Sequence, residues 1–140
     1  MNTKNLVLNR KKQKPMVWDV FFNPTKIPKP LVIFCHGYKG FKDWGSWDLV
    51  AEAFKNENYF FVKFNFSHNG GTVENPIDFP DLEAFSENNY SKELQDLEDL
   101  LNYLFSEENP FKSEINTNHV TLIGHSRGGG IATIFASEDP

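Results

Sequence analysis

Residues 119–136 read His-Val-Thr-Leu-Ile-Gly-His-Ser-Arg-Gly-Gly-Gly-Ile-Ala-Thr-Ile-Phe-Ala. The run from His119 to Ile123 is short and β-rich, and Gly128 to Ala136 has the small and branched residues of a helix that packs closely on a sheet. Between them Gly124-His125-Ser126-Arg127-Gly128 matches G-x-S-x-G. A serine presented on a sharp strand-to-helix turn needs small flanking residues, because strand and helix backbones must approach closely there. The pattern therefore predicts a nucleophile elbow with Ser126 as nucleophile. A phosphate-binding loop is the other glycine-rich option, and it fails for want of Gly-Lys-Ser/Thr.

Outward from the elbow, the chain alternates apolar strands with amphipathic helices. Asn5 to Arg10 and Met16 to Phe22 read as an antiparallel hairpin joined by a polar lysine-rich stretch. Leu31 to Cys35 is a continuous apolar run entered from Pro28-Lys29-Pro30, as expected of a strand buried on both faces. Trp47 to Phe54 has helical spacing, with Ser46 as N-cap and Asn58 as a left-handed stop. Tyr59 to Phe66 is apolar except for Lys63 and Asn65 and reads as another central strand. Ser67 to Asn89 is a long connection of the kind that carries function. A helix capped by Ser91 follows, with Glu93 suited to its N-terminal dipole and a stripe of Leu94, Leu97, Leu100, Leu101, Leu104 and Phe105, stopped by Asn109-Pro110. The order β-β-β-α-β-α-β-α predicts an α/β fold, a hairpin leading into a mainly parallel sheet with right-handed crossover helices.

Composition narrows the function classes. The 140 residues carry a net charge of -5, so no basic face is available on which a nucleic acid would release counterions. Arg10, Lys11, Lys12 and Lys14 form the one basic cluster and read as a solvated hairpin tip. No run approaches the roughly 20 apolar residues of a membrane span, and the start has no apolar signal-peptide core, so the expected address is cytoplasmic. Cys35 is the single cysteine and sits in an apolar run, where a small buried hydrophobe is expected. No metal or organic cofactor is implied.

Acyl transfer needs backbone N–H donors aimed at the carbonyl oxygen as it becomes an oxyanion. One is expected from Arg127, the residue after the nucleophile, and the other from the loop after the third strand, at Tyr38 following His36-Gly37. With these features, the stretches His36-Gly37-Tyr38-Lys39-Gly40-Phe41-Lys42-Asp43-Trp44-Gly45 and Phe64-Asn65-Phe66-Ser67-His68-Asn69-Gly70 resemble the α/β-hydrolase superfamily. The likeness is to a bacterial esterase or acyl-peptidase-like branch near dienelactone hydrolases and prolyl oligopeptidases, and it extends over essentially the whole chain. It implies that the strands are the family's first five and the helices its A, B and C. It further implies a serine hydrolase acting on a small-molecule ester, thioester or amide, with substrate-facing roles for Lys39, Asn65, Ser67 and His68.

The family places its acid and histidine after the nucleophile. Fourteen residues follow Ser126, with no histidine among them; Glu138 and Asp139 lie at the end of the elbow helix, where the family's acid does not occur. Residues 1–140 therefore read as the N-terminal portion of one α/β-hydrolase domain, expected to be inactive alone. Of the four histidines, His68 is the least implausible substitute base, since it follows a strand on the active-site side, whereas His36, His119 and His125 read as structural or exposed. A non-catalytic remnant or binding module of the same fold, and an acyltransferase on the same scaffold, are the alternatives.

Overall fold

The computed structural model describes residues 1–138, so Asp139 and Pro140 lie outside the described residues. Five strands, β1 (Asn2–Leu8), β2 (Met16–Phe21), β3 (Lys29–Cys35), β4 (Phe60–Phe64) and β5 (Ile115–Gly124), form one sheet in the order β1-β2-β4-β3-β5. β1 and β2 pair antiparallel, β2 and β4 antiparallel, and β4, β3 and β5 run parallel. This is the hairpin-plus-parallel-sheet architecture expected from the sequence. Four helices connect or follow the strands: α1 (Trp47–Asn56), α2 (Leu82–Glu87), α3 (Tyr90–Leu104) and α4 (Arg127–Glu138).

Alternation along β3 divides the core into two layers. Leu31, Ile33 and Cys35 face Leu97, Leu100 and Leu104 of α3 and Ile131 of α4, whereas Val32 and Phe34 face Ala51, Val50 and Phe54 of α1. Each of these fully buried leucines stabilises the fold by about 1.5–3 kcal/mol relative to exposure. No helix among the described residues is long and apolar enough to cross a membrane.

The structure differs from the sequence reading in several particulars. Asn5 adopts φ 58 at an irregularity in β1, and its N–H donates to Asp19 Oδ1, so the first strand begins earlier than its apolar residues suggest. The N-cap of α3 is Asn89, whose side chain accepts from Lys92 N–H, and not Ser91. Ser46 precedes α1 without a side-chain cap, while Asn58 holds the expected left-handed φ of 65. The long connection contains α2, capped by Asp81 through Ala84 N–H.

The hairpin tip is also not simply solvated. Arg10 is buried against α3, reaching Asp96 at 2.9 Å and Asp99 at 3.0 Å, and Lys14 pairs with Asp81 of the α2 cap. Two of the four basic residues thus fasten the hairpin to the helical layer.

Burial pushes the Asp96 carboxyl above its ordinary range, opposed by Ser67 and Arg10. A raised folded-state value means that ionising Asp96 opposes folding, so this contribution is intact at acid pH and is lost as pH rises through the folded value. Arg10→Ala leaves the buried carboxylate without its cation and is expected to cost about 3 kcal/mol near neutrality. The loss should be smaller at pH 4 than near neutrality, because the raised carboxyl gains protons as pH falls. Urea unfolding at both pH values tests this, and a pH-independent loss would contradict it.

Candidate active site

The elbow forms as its sequence demands. Ser126 has φ 56, in the left-handed region that non-glycine residues rarely adopt, at the turn between β5 and α4. His125 N–H donates to Cys35 O at 3.1 Å, which ties the turn to the end of β3. Gly128 is needed for space: a Cβ there would lie 2.1 Å from Cys35 O and 2.4 Å from His36 O, both backbone atoms that cannot swing aside. On the other side of the serine, a Cβ on Gly37 would lie 3.0 Å from Ser126 Cβ. The loop after β3 therefore lies directly against Ser126.

That loop turns tightly, with Gly40 N–H donating to Gly37 O at 3.0 Å and Lys39 at φ 58. Tyr38 and Lys39 are exposed on its crest, and the Lys39 ammonium lies 5.8 Å from the Tyr38 ring centre. Among the described residues, neither Tyr38 N–H nor Arg127 N–H is donated to a protein acceptor. The Arg127 side chain points away into α3, where its Nε donates to Glu93 Oε1 and its guanidinium lies 4.5 Å over the Tyr90 ring. Glu93 is buried, and burial pushes its carboxyl up against the opposing pull of Arg127.

Three of the four residues for which substrate-facing roles are implied spend their polar groups on the protein. Asn65 Oδ1 accepts from Lys42 N–H at 2.7 Å and its Nδ2 donates to Pro76 O at 3.0 Å. Ser67 N–H and Oγ–H both donate to Asp96, at 2.7 and 2.9 Å, and Ser67 Oγ in turn lies 2.8 Å from His68 Nδ1. His68 is buried, and burial together with Lys92, Lys14 and Arg10 holds its imidazole below the ordinary range. Lys39 alone of the four is exposed.

The remaining histidines are also accounted for. His36 Nε2 accepts from Phe66 N–H at 3.0 Å, which leaves Nδ1 protonated and donating to Gly37 O at 2.9 Å. The His125 ring packs on Trp47 at 5.4 Å, and His119 is exposed on β5. Among the described residues, none of the four histidines hydrogen-bonds to the Ser126 side chain. Cys35 is buried as expected, its thiol pushed up to about 12 by desolvation and the nearby Glu93.

Sequence reasoning missed four residues that shape the site: Glu93 beneath the elbow, Asn69, which donates to Gly40 O at 3.3 Å, and the buried Lys42 and Lys63. Lys63 carried a visible signal, a lone cation in an otherwise apolar strand. The others become legible only once their partners are in place.

No known protein-family model matches the chain, and no curated protein matches it in sequence. Solved structures match it throughout. A dienelactone hydrolase from Anabaena variabilis superposes with TM-score 0.73 at 18% identity, over 100% of this chain and 58% of that one. Est1E from Butyrivibrio proteoclasticus gives 0.72 at 13%, over 98% and 46%. The thioesterase domain from the curacin biosynthetic pathway gives 0.70 at 18%, over 100% and 41%. The fold is that of the α/β-hydrolases, and the chain spans about half the length of these neighbours.

Burial pushes His36 down to about 4, against the hydrogen bond to Gly37 O. A lowered folded-state value stabilises the fold above the ordinary value of 6.5, and that contribution is lost as pH falls from there toward 4. The shift corresponds to about 3 kcal/mol. His36→Asn removes the titrating ring, so its stability should fall less steeply than the parent's between pH 7 and 4.5 in denaturant unfolding. Equal slopes would remove the assignment.

Proposed function

We propose that these residues form the N-terminal portion of a serine hydrolase domain that cleaves a carboxylic ester, thioester or amide through an acyl-serine intermediate. The observation that carries the reading is Ser126 at φ 56, with Gly37 packed against its Cβ and the N–H groups of Tyr38 and Arg127 both undonated on either side. Ser126 Oγ attacks the acyl carbon, and the two N–H groups hold the oxyanion. The N-terminus of α4, opening at Arg127, adds its positive dipole end beneath that charge. Neighbours of the same fold support small molecules as the substrate class, since Est1E is also known with ferulic acid bound.

The incomplete triad belongs to the same reading. Within the described residues β5 pairs with β3 alone, so its other edge carries no strand. A groove of about 700 Å³ opens beside it, lined by Leu101, Phe105, Val120, Leu122 and Phe135. Unpaired apolar edges of this kind are normally covered in soluble proteins. Further strands of one larger domain, bringing the acid and histidine, account for both the open edge and the missing base. The absence of a histidine hydrogen-bonded to Ser126 favours a second reading for residues 1–140 alone, a non-catalytic module of the same fold.

Reaction with a fluorophosphonate probe, run beside Ser126→Ala with circular dichroism as a check of folding, tests the proposal. The folded 140-residue chain should react slowly or not at all. Any protein that continues this sequence with a later Asp and His should react fast and lose reaction entirely in Ser126→Ala. Fast labelling of residues 1–140 that disappears in the alanine variant would overturn the incomplete-triad reading. Labelling that survives the substitution would overturn Ser126 as nucleophile.

A further inference from the structure

An ionic network with a fully buried centre lies on the α1 side of the sheet. Asp19 of β2, Lys63 of β4 and Lys42 of the loop after β3 have no solvent exposure. Lys42 Nζ donates to Asp19 Oδ1 at 2.9 Å, to Asn5 Oδ1 at 2.8 Å and to Asp43 Oδ2 at 2.6 Å. Lys63 Nζ contacts Asp48 at the start of α1, lies 3.3 Å from Asp19 Oδ2, and donates to the backbone carbonyl of Lys42 at 2.8 Å. Burial would raise the Asp43 carboxyl, but hydrogen bonds from Lys4 and Lys42 hold it below the ordinary range. The acids Asp19, Asp43 and Asp48 approach one another closely. They are matched by the ammonium groups of Lys4, Lys42 and Lys63.

Burying charges in a sheet is a poor way to stabilise it, because well-packed apolar residues of similar volume do as well or better. Apolar residues do not grip a backbone carbonyl, and here the charges converge on one segment. Lys63 holds Lys42 O, Asn65 holds Lys42 N–H, and Asn69 holds Gly40 O, which leads to the turn from Gly37 to Gly40. Lys39 within that turn has φ 58, a conformation that persists only where surrounding contacts over-determine the backbone.

We infer that Lys63, acting through Lys42 and Asp19, is a positioning residue that fixes the loop from Gly37 to Asp43 from below, and so sets where the Tyr38 N–H points. The functional part of this inference rests on the hydrolase reading of Ser126. Its structural part does not.

Amide hydrogen exchange separates the two. The N–H groups of Gly40, Lys42 and Trp44 are each hydrogen-bonded within or to the loop, at 3.0, 2.7 and 3.2 Å. In Lys63→Met their exchange is expected to accelerate about tenfold while that of Ile33 and Val62 in the sheet stays unchanged. Asp48→Asn removes only the rim partner of Lys63 and should give a smaller rise, about threefold, at the same three amides. This second variant decides the matter if Lys63→Met does not fold. Exchange that is unchanged at the three amides, or that rises equally at Ile33 and Val62, overturns the positioning role. A fluorophosphonate-reactive form should also react more slowly as Lys63→Met, whereas failure of any form to react counts against the hydrolase reading and leaves the exchange result standing.

Discussion

The arrangement depends on one close approach, that of the first turn of α4 to the end of β3. Gly128 sits where a side chain would collide with the carbonyls of Cys35 and His36, and His125 N–H bonds to the first of these. This contact sets the depth of the elbow relative to the sheet. It also sets the distance from Ser126 to the loop that leaves β3, because that loop starts one residue later. Everything proposed for the serine follows from two parallel strands in adjacent places whose C-terminal ends are brought together by glycine.

Around that contact the protein divides its interactions by face. The α3 and α4 side is an apolar layer of Leu97, Leu100, Leu104 and Ile131 into which a few acids are set, each with a cation or hydrogen-bond donor: Asp96 with Arg10 and Ser67, Glu93 with Arg127. The α1 side is aromatic near the elbow, where Phe34, Trp47 and His125 pack, and ionic further along, where Lys42 and Lys63 meet Asp19. Both donors proposed for the oxyanion are thus backed by buried charge. Arg127 is held by Glu93 from the α3 side, and the loop bearing Tyr38 is held by the lysines from the α1 side.

What the sequence revealed follows the range of the interactions concerned. The elbow was legible because Gly124 to Gly128 are consecutive and their neighbours show β and helical character in turn. β3 and β4 were legible because burial on both faces leaves continuous apolar runs. Pairings between residues far apart in the chain were not. Glu93 suits a helix dipole when read alone, yet it is the partner of Arg127. Arg10 reads as part of a solvated tip, yet it is buried against Asp96. The short α2 spans too few residues to show a period and is declared mainly by its Asp81 cap. Asn65 and Ser67 follow β4 at its C-terminal end, but position does not say whether a polar group faces outward or, as here, into the protein.

The surroundings of Ser126 also constrain any proton acceptor that would serve it. Gly37 lies against Ser126 from the loop after β3, the His125 ring packs on Trp47 and the Arg127 guanidinium lies over Tyr90, while Ser126 itself is exposed. His36 cannot turn toward the serine without abandoning two hydrogen bonds, and its depressed basicity opposes taking a proton near neutrality. His68 is fastened through Nδ1 to Ser67, and burial, followed by the charges of Lys92, Lys14 and Arg10, disfavours its protonated form. On the proposed reading, the strands that cover the unpaired edge of β5 belong to the same further part of the domain as the base. Completing the sheet and completing the triad are then, on that reading, the work of one segment.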